Sequence, residues 1–171
     1  DILLGTAEIL RTKGYLPVFS VAPGLSANLA DELRGRVSAS GFDFWEGEGR
    51  ELMLGSLAVA GVSGTVAVEA MLLCRYMVVI YNMKPLTYTL LKHLVRTKNI
   101  SIPNMLTGKQ VYPELLCSAA TPERITQELE GYMNDEDKRK DIDTRLLEAR
   151  SFMGNENAAK FWAECVLNGG E

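Results

Sequence analysis

The sequence predicts an α/β fold, a parallel sheet with helices on both faces. Short apolar runs with the length of buried strands alternate along the chain with segments long enough to form helices. Strands that alternate with helices in this way pair in parallel through right-handed crossovers. In the middle of the chain, a Ser-Gly-Thr turn at residues 63–65 joins one such strand directly to an apolar helix. We expect the other elements to assemble around this turn.

The composition indicates one globular domain. A chain of 171 residues can bury a full core without disulfides. Acidic residues outnumber basic ones by 22 to 18, and the net charge of -4 argues against a nucleic-acid partner. The three cysteines lie far apart and there is one histidine, so we expect no metal site, no disulfide framework and no cofactor. Reduced thiols favour a cytoplasmic location.

No segment has the pattern of a membrane span or an export signal. The charge-free run at 52–68 contains glycines and serines, and it is shorter than the roughly twenty apolar residues that cross a bilayer. Residues 2–12 have the pattern of a helix, not of a signal peptide with a basic start. Because the first residue is Asp1 and not methionine, we expect a chain cut from a longer one.

Apolar or alternating runs predict five strands. One of them, Met77–Ile80, is continuously apolar, as expected for a strand buried on both faces of the sheet. A proline at position 17 lies near the start of the first strand, where it costs little. The predicted strands are Leu16–Ala22, Phe42–Trp45, Leu57–Ala60, Met77–Ile80 and Ile100–Ile102.

The helices are predicted from apolar periodicity and from the residues at their ends. Gly14 is placed to end the first helix, Pro85 suits a first turn, and Thr121 followed by Pro122 is typical of a helix start. The predicted helices cover Ile2–Thr12, Leu25–Ser38, Arg50–Leu54, Val66–Cys74, the segment from Pro85 through Val95, a short piece at Pro113–Cys117, the segment from Thr121, Asp135–Arg150 and Glu156–Leu167.

The Ser-Gly-Thr turn is the first candidate site. The first amides of a helix have no intrahelical partner and carry the positive end of the helix dipole, so Ser63, Gly64 and Thr65 can hold a phosphate. Gly64 would let the ligand approach the backbone closely. The alternative is that Ser63 or Thr65 only caps the helix.

Glu69 lies about one turn further along the same helix. It is one position too late for a capping box with Thr65. A carboxylate on so apolar a helix is costly unless it has a partner or reaches solvent. It could therefore accept hydrogen bonds from ribose hydroxyls, or it could be a surface residue favourably placed near a helix N-terminus.

Other polar residues are expected at the same edge of the sheet. In open parallel sheets, ligands bind beyond the carboxyl ends of the strands. Tyr81, Asn82 and Asn104 follow predicted strands and join Ser63 and Gly64 there. The helix from Pro85 carries a basic cluster that includes His93, which fits a solvated outer face or contact with an anionic membrane surface.

Three linked segments closely resemble the C-terminal half of lipid-A-disaccharide synthase, from about Tyr15 to the tail. They are Val62-Ser63-Gly64-Thr65 with Glu69; Met77-Val78-Val79 through Tyr81-Asn82-Met83-Lys84-Pro85-Leu86-Thr87-Tyr88; and Ile100-Ser101-Ile102-Pro103-Asn104-Met105-Leu106-Thr107-Gly108 with Pro113-Glu114-Leu115-Leu116. Together they are far more specific than one short turn.

The resemblance implies a Rossmann-like donor domain of a GT-B glycosyltransferase. In that family the domain holds UDP-2,3-diacylglucosamine, whose sugar passes to 2,3-diacylglucosamine 1-phosphate with release of UDP. Carried over to this chain, Ser63, Gly64 and Thr65 would face the diphosphate, Glu69 the ribose, and Asn104 the sugar or phosphate. The family's lipid substrates imply a cytoplasmic protein with peripheral contact to the inner membrane, and a homodimer is an open alternative to a monomer.

The chain departs from the family pattern in two respects. Asn82 stands where family members commonly have arginine, which puts a cationic substrate contact there in doubt. The resemblance also implies that residues 1–171 are a single UDP-sugar-binding domain without its first strand and loop and without the N-terminal acceptor domain. Glycosyl transfer needs a general base near the acceptor hydroxyl, so this chain alone is expected to catalyse nothing. The alternatives are the donor domain of another UDP-sugar transferase and a non-catalytic nucleotide-binding domain.

Overall fold

The computed structural model describes residues 1–22, 24–81 and 99–154. These ranges hold seven α-helices, five strands and one 3-10 turn, in an α/β arrangement. The helices are α1 (Ile2–Thr12), α2 (Ala27–Ala39), α3 (Gly49–Gly55), α4 (Thr65–Leu72), α5 (Ile102–Thr107), α6 (Pro122–Met133) and α7 (Glu136–Ser151). The strands are β1 (Val18–Ser20), β2 (Asp43–Trp45), β3 (Val59–Val62), β4 (Met77–Tyr81) and β5 (Glu114–Leu116), and the 3-10 turn is Cys117–Ala119.

All strand pairing among these residues is parallel, which confirms the predicted fold class. Strands β1 and β2 form one sheet, with Phe19 opposite Phe44. Strands β3, β4 and β5 form a second sheet in that order. The prediction of a single sheet thus becomes two parallel sheets, and the first four predicted strands are confirmed with shifted ends.

The fifth predicted strand is wrong. Residues 100–102 do not form a strand, because Ser101 precedes helix α5 and Pro103 stands in its first turn, where a missing amide is tolerated. The fifth strand is instead Glu114–Leu116, inside the predicted helical piece Pro113–Cys117. Pairing with β4 decides its conformation, since Leu115 lies opposite Ile80 and is buried.

The larger core surrounds β4. Met77, Val78 and Val79 have no exposed surface, as expected for a parallel strand covered on both faces. Helices α4, α6 and α7 contribute fully buried side chains to the same cluster, namely Ala67, Ala70, Met71, Ile125, Leu146 and Ala149. This cluster fixes the position of α4 and therefore of the turn in front of it.

The smaller core joins α1, α2 and the sheet of β1 and β2. Its buried residues are Ala7, Val37 and Phe42, and the Phe42 ring lies 5.7 Å from that of Phe19. Helix α1 contacts both cores, because Leu4 packs against the smaller cluster while Leu10 packs against the larger one.

The predicted helix ends can be checked where the chain is described. The Thr121 hydroxyl accepts a hydrogen bond from the Arg124 amide at 3.2 Å, which confirms the predicted cap. The helices predicted from Pro85 and at Glu156–Leu167, and the site residue Asn82, lie outside the described ranges. No helix in those ranges has the length and apolar character needed to cross a membrane. Within them, no cluster of three or more metal-binding side chains occurs.

Candidate functional site

The predicted turn follows β3 directly and lies at the carboxyl edge of the larger sheet. Val62 is opposite Ile80 in the parallel register, so Ser63 comes level with Tyr81, the last residue of β4. Tyr81 in turn lies opposite Leu116 on β5. The structure therefore brings Ser63, Gly64 and Thr65 together with Tyr81 at the edge where parallel sheets bind ligands.

Gly64 has a backbone conformation that requires glycine. Its φ angle is +152°, a value that side chains with a Cβ rarely adopt. A Cβ placed on Gly64 would meet no atom within 4 Å, so the space above the turn is open. The backbone here is accessible to a ligand, and any substitution would strain it.

No side chain caps helix α4. Gly64 is the N-cap residue, and neither Ser63 nor Thr65 makes a side-chain cap hydrogen bond. The Ala67 amide donates to the Gly64 carbonyl at 3.2 Å, which leaves the earlier amides of Thr65 and Val66 at the exposed start of the helix. The structure does not support the capping alternative, and the helix presents donors to an anion.

Glu69 and Tyr81, like Ser63, are half-buried. Glu69 lies in the second turn of α4, and no hydrogen bond or ion pair joins its carboxylate to another residue of the described ranges. Tyr81 packs against the larger core with part of its ring exposed. Contact of either residue with a substrate stays a prediction.

Asn104 has a different environment from the one expected for it. It lies inside helix α5, is only 1% exposed and does not follow a strand. Its Nδ2 donates to the Tyr112 carbonyl at 2.8 Å and to Glu114 Oε1 at 2.7 Å, while its Oδ1 accepts from the amides of Val111 and Tyr112. Both amide donors and both acceptor positions are used, so a substrate contact, which stays a prediction, would require one of these bonds to break.

Glu114 organises this part of the site and was missed in the sequence. Its carboxylate accepts from the Ile100 amide at 2.9 Å, from the Ser101 amide at 2.8 Å and from the Ser101 hydroxyl at 2.7 Å, in addition to Asn104. Hydrogen bonds to a carboxylate are stronger than those between neutral groups. The available signal was the position of Glu114 soon after the Ser-Ile-Pro-Asn segment, but nothing local showed that it faces that segment.

Exposed apolar side chains lie on β3, α4 and α5. Helices α4 and α5 pack against each other. Of the exposed apolar residues on these two helices and at the end of β3, which also include Leu72, we call the following five the apolar rim: Val62, Val66, Ile102, Met105 and Leu106. Uncapped amides at the start of α4 and exposed apolar side chains on the same elements would suit a ligand that has a charged end and an apolar end.

The fold and the turn together define a Rossmann-like α/β domain, with its candidate ligand site at the carboxyl edge of a parallel sheet. A family model described as lipid-A-disaccharide synthetase matches residues 30–165. The chain belongs to the lipid-A-disaccharide synthetase family.

Individual relatives agree with the family match. A lipid-A-disaccharide synthase of Alkalilimnicola ehrlichii is 38% identical over 126 residues, which cover 74% of this chain and 33% of the relative. One from Acinetobacter baylyi is 37% identical over 147 residues, covering 79% of this chain and 37% of the relative. One from Erwinia tasmaniensis is 48% identical over 85 residues, or 50% of this chain and 22% of the relative. The chain therefore spans about a third of the length of the relatives it matches most extensively.

Proposed function

We propose that this chain is the donor-binding part of a lipid-A-disaccharide synthase. In this proposal it binds UDP-2,3-diacylglucosamine, whose sugar is transferred to 2,3-diacylglucosamine 1-phosphate with release of UDP. The observation that carries the proposal is the uncapped start of α4, which follows Gly64 at the carboxyl edge of the sheet. The chain's membership of this family supports the choice of ligand.

The diphosphate would lie against the amides of Thr65 and Val66. Those amides and the α4 dipole favour negative charge, and the open space above Gly64 admits the phosphate oxygens without a steric clash. These groups also favour the charge that builds up on UDP as it leaves, so the same contacts assist the reaction. Glu69, in the second turn of α4, would accept hydrogen bonds from the ribose hydroxyls.

The apolar rim would border the acyl chains of the donor. Met105 is 50% exposed and Leu106 is 40% exposed, although both are apolar. Apolar surface removed from water contributes about 25 cal/mol per Å², so acyl contacts with a few such side chains would measurably favour an acylated donor. The proposal also includes a peripheral contact with the inner membrane, because the apolar rim and the basic cluster at 84–98 would suit an anionic membrane surface.

The rest of the enzyme would supply the acceptor site and the general base. Relatives are about three times as long as the aligned part of this chain, which leaves ample sequence for a second domain. Proton removal from the acceptor hydroxyl requires a base within hydrogen-bonding reach. We therefore expect the 171-residue chain to bind the donor without transferring its sugar.

Calorimetric titration with UDP, UDP-N-acetylglucosamine and an acylated UDP-glucosamine tests the proposal. Preference for the acylated donor is the expected result. Equal affinity for the two sugars would favour a different UDP-sugar transferase, and no uridine binding would favour a non-catalytic domain.

A pair of glycine variants locates the site. Gly64→Ala should weaken UDP by about tenfold or more, since it strains the turn and places a methyl group above it. Gly35→Ala is the matched control, because Gly35 lies in α2 with open space around it and without a positive φ. Equal UDP affinity in the two variants would show that the turn does not hold the diphosphate.

A further inference from the structure

Helices α4 and α5 pack against each other but are held in place by different interactions. Helix α4 places the fully buried side chains of Ala67, Ala70 and Met71 in the larger core. Helix α5 is only six residues long, and its buried residues are Pro103 and Asn104. Apolar packing therefore fixes α4, whereas α5 depends to a greater extent on hydrogen bonds.

The carboxylate of Glu114 ties the start of α5 to β5. Its Oε1 accepts from the Ser101 hydroxyl at 2.7 Å and from Asn104 Nδ2 at 2.7 Å, and its Oε2 accepts from the Ile100 amide at 2.9 Å. The Ser101 hydroxyl makes no cap hydrogen bond to α5, because it donates to Glu114. Ser101 and Asn104 are at most 1% exposed, so water cannot readily replace these bonds when they are broken.

The charge of Glu114 matters as well as its shape. In the described part of the chain, every hydrogen bond to this side chain comes from an N–H or O–H donor. An ionised carboxylate has only acceptors, whereas a glutamine amide has one acceptor oxygen and one NH2 donor. Either orientation of a glutamine amide would direct its donor at another donor, Ile100 on one side or Ser101 and Asn104 on the other. A carboxylate at position 114 is therefore what holds the start of α5.

Most of the apolar rim belongs to the helix that Glu114 holds. Ile102, Met105 and Leu106 lie on α5, whereas Val62 ends β3 and Val66 lies in the first turn of α4. A shift of α5 would move the first three residues relative to the start of α4. The uncapped amides of α4 would stay in place, because the larger core holds that helix.

We propose that Glu114 is a positioning residue for the acyl part of the donor. Its carboxylate fixes the start of α5 and so sets where the apolar rim lies relative to the uncapped start of α4. A donor whose acyl chains reach the rim is thereby favoured, without any contact between Glu114 and the donor. This role rests on the proposed function, in which the apolar rim borders the acyl chains.

Titration of Glu114→Gln in the 171-residue chain tests this role, with UDP and an acylated UDP-glucosamine as the two ligands. We expect the acylated donor to weaken by about tenfold, because the displaced rim loses apolar contact with the acyl chains. Affinity for UDP, which has no acyl chain, should change by less than about twofold. Val37→Ala is the matched control, since it weakens the smaller core and should keep the wild-type preference for the acylated donor.

A milder variant covers the case in which Glu114→Gln does not fold. Ser101→Ala removes one hydroxyl donor and leaves the backbone amides on Glu114 in place. It should weaken the acylated donor by about threefold and leave UDP affinity unchanged. Equal weakening of both ligands in either variant would show that Glu114 supports the whole fold, and the proposal fails. It also fails if Val37→Ala loses the preference to the same extent.

Hydrogen exchange without ligand measures the position of α5 directly. The Met105 amide donates to the Ser101 carbonyl, and the Val111 amide donates to Asn104 Oδ1. Both amides should exchange at least about tenfold faster in Glu114→Gln, while the Ala67 amide, which donates to the Gly64 carbonyl in α4, should keep its rate. Unchanged exchange at both Met105 and Val111 overturns the proposal.

The wild-type chain separates failure of this role from failure of the proposed function. A wild-type chain that binds UDP without preferring the acylated donor would overturn the acyl contact and the role of Glu114 with it. A wild-type preference that Glu114→Gln leaves intact would overturn the role of Glu114 alone.

Discussion

The larger sheet and the smaller sheet are built from similar parallel strands but differ in how much they bury. Four residues of β4 are buried in succession, whereas β1 alternates between exposed and half-buried residues. Among the described residues, the larger region has a core to which helices α4, α6 and α7 contribute, and it carries the candidate site, whereas the smaller region has a core of three buried residues. Strand β4, which has a partner strand on each side, is buried along most of its length, as its continuously apolar sequence predicts. Strand β1, which pairs only with β2 among the described residues, is at most half-buried. Stability should be concentrated in the region that carries the site.

The sharpest test of this difference compares one deletion in each core. Ile125→Ala removes a side chain with no exposed surface from the larger core and should cost about 3 to 4 kcal/mol of unfolding free energy. Val37→Ala in the smaller core should cost about 1 to 2 kcal/mol, because Val37 is smaller and its cluster has fewer members to lose contact with. Urea unfolding of both variants measures the two costs. A larger loss for Val37→Ala would contradict the assignment of stability to the larger core.

Alkaline pH should destabilise the larger region specifically. Tyr132 stacks on Tyr76 at 4.3 Å between ring centroids, and burial together with the hydrogen bond to Asp143 raises the pKa of Tyr132 to about 12. Burial also raises the pKa of Tyr76 and of Tyr112. The unfolded chain loses these protons near pH 10 while the folded chain keeps them, so stability is complete below pH 10 and falls as pH rises toward 12.

The variant Tyr132→Phe isolates one contribution to that fall. It should reduce the loss of unfolding free energy between pH 10 and 12 by about 1 to 2 kcal/mol, because one raised pKa no longer takes part. Denaturant unfolding at several pH values gives the slope. An unchanged slope would mean that the Tyr132 hydroxyl titrates alike in the folded and unfolded chains.

Glu69→Gln tests the site and leaves the core alone. If Glu69 binds the ribose, losing its charge should weaken UDP by about tenfold, since charge-assisted hydrogen bonds are worth roughly 1.5 to 3 kcal/mol each and glutamine keeps one acceptor. The melting temperature without ligand should hardly change. If Glu69 only favours the start of α4, the pattern reverses: stability shifts by about 0.3 to 1 kcal/mol and UDP affinity stays the same.

The smallest expected effect concerns a pair that ties α1 to α6. Lys13 Nζ lies 2.6 Å from Glu130 Oε2, with both side chains partly exposed. Lys13→Ala should cost only about 0.2 to 1 kcal/mol, because exposed ion pairs gain little in water. The loss should shrink further in high salt. A salt-independent loss of several kcal/mol would show that this contact is central to holding the two regions together.

Features that depend on residues close together in the sequence could be predicted from the sequence. The turn at 63–65 follows from an apolar run, a glycine and an apolar helix in direct succession, and the structure has that arrangement. Strand β5 could not be found in the same way, because Leu115 is extended only through its pairing with β4. The role of Asn104 was equally hidden, since its partners at 111, 112 and 114 are set by folding and not by local propensity.

The bonds of Asn104 and Glu114 have a consequence for proteolysis. They join the two ends of the segment from Ile100 to Glu114, while Lys109 in its middle is exposed. A protease that cuts after lysine can therefore reach this loop, as is usual for exposed loop tips. The cut ends would stay attached through buried hydrogen bonds on both sides of the break. A chain nicked at Lys109 should migrate as two fragments on a denaturing gel and as one species on a native sizing column.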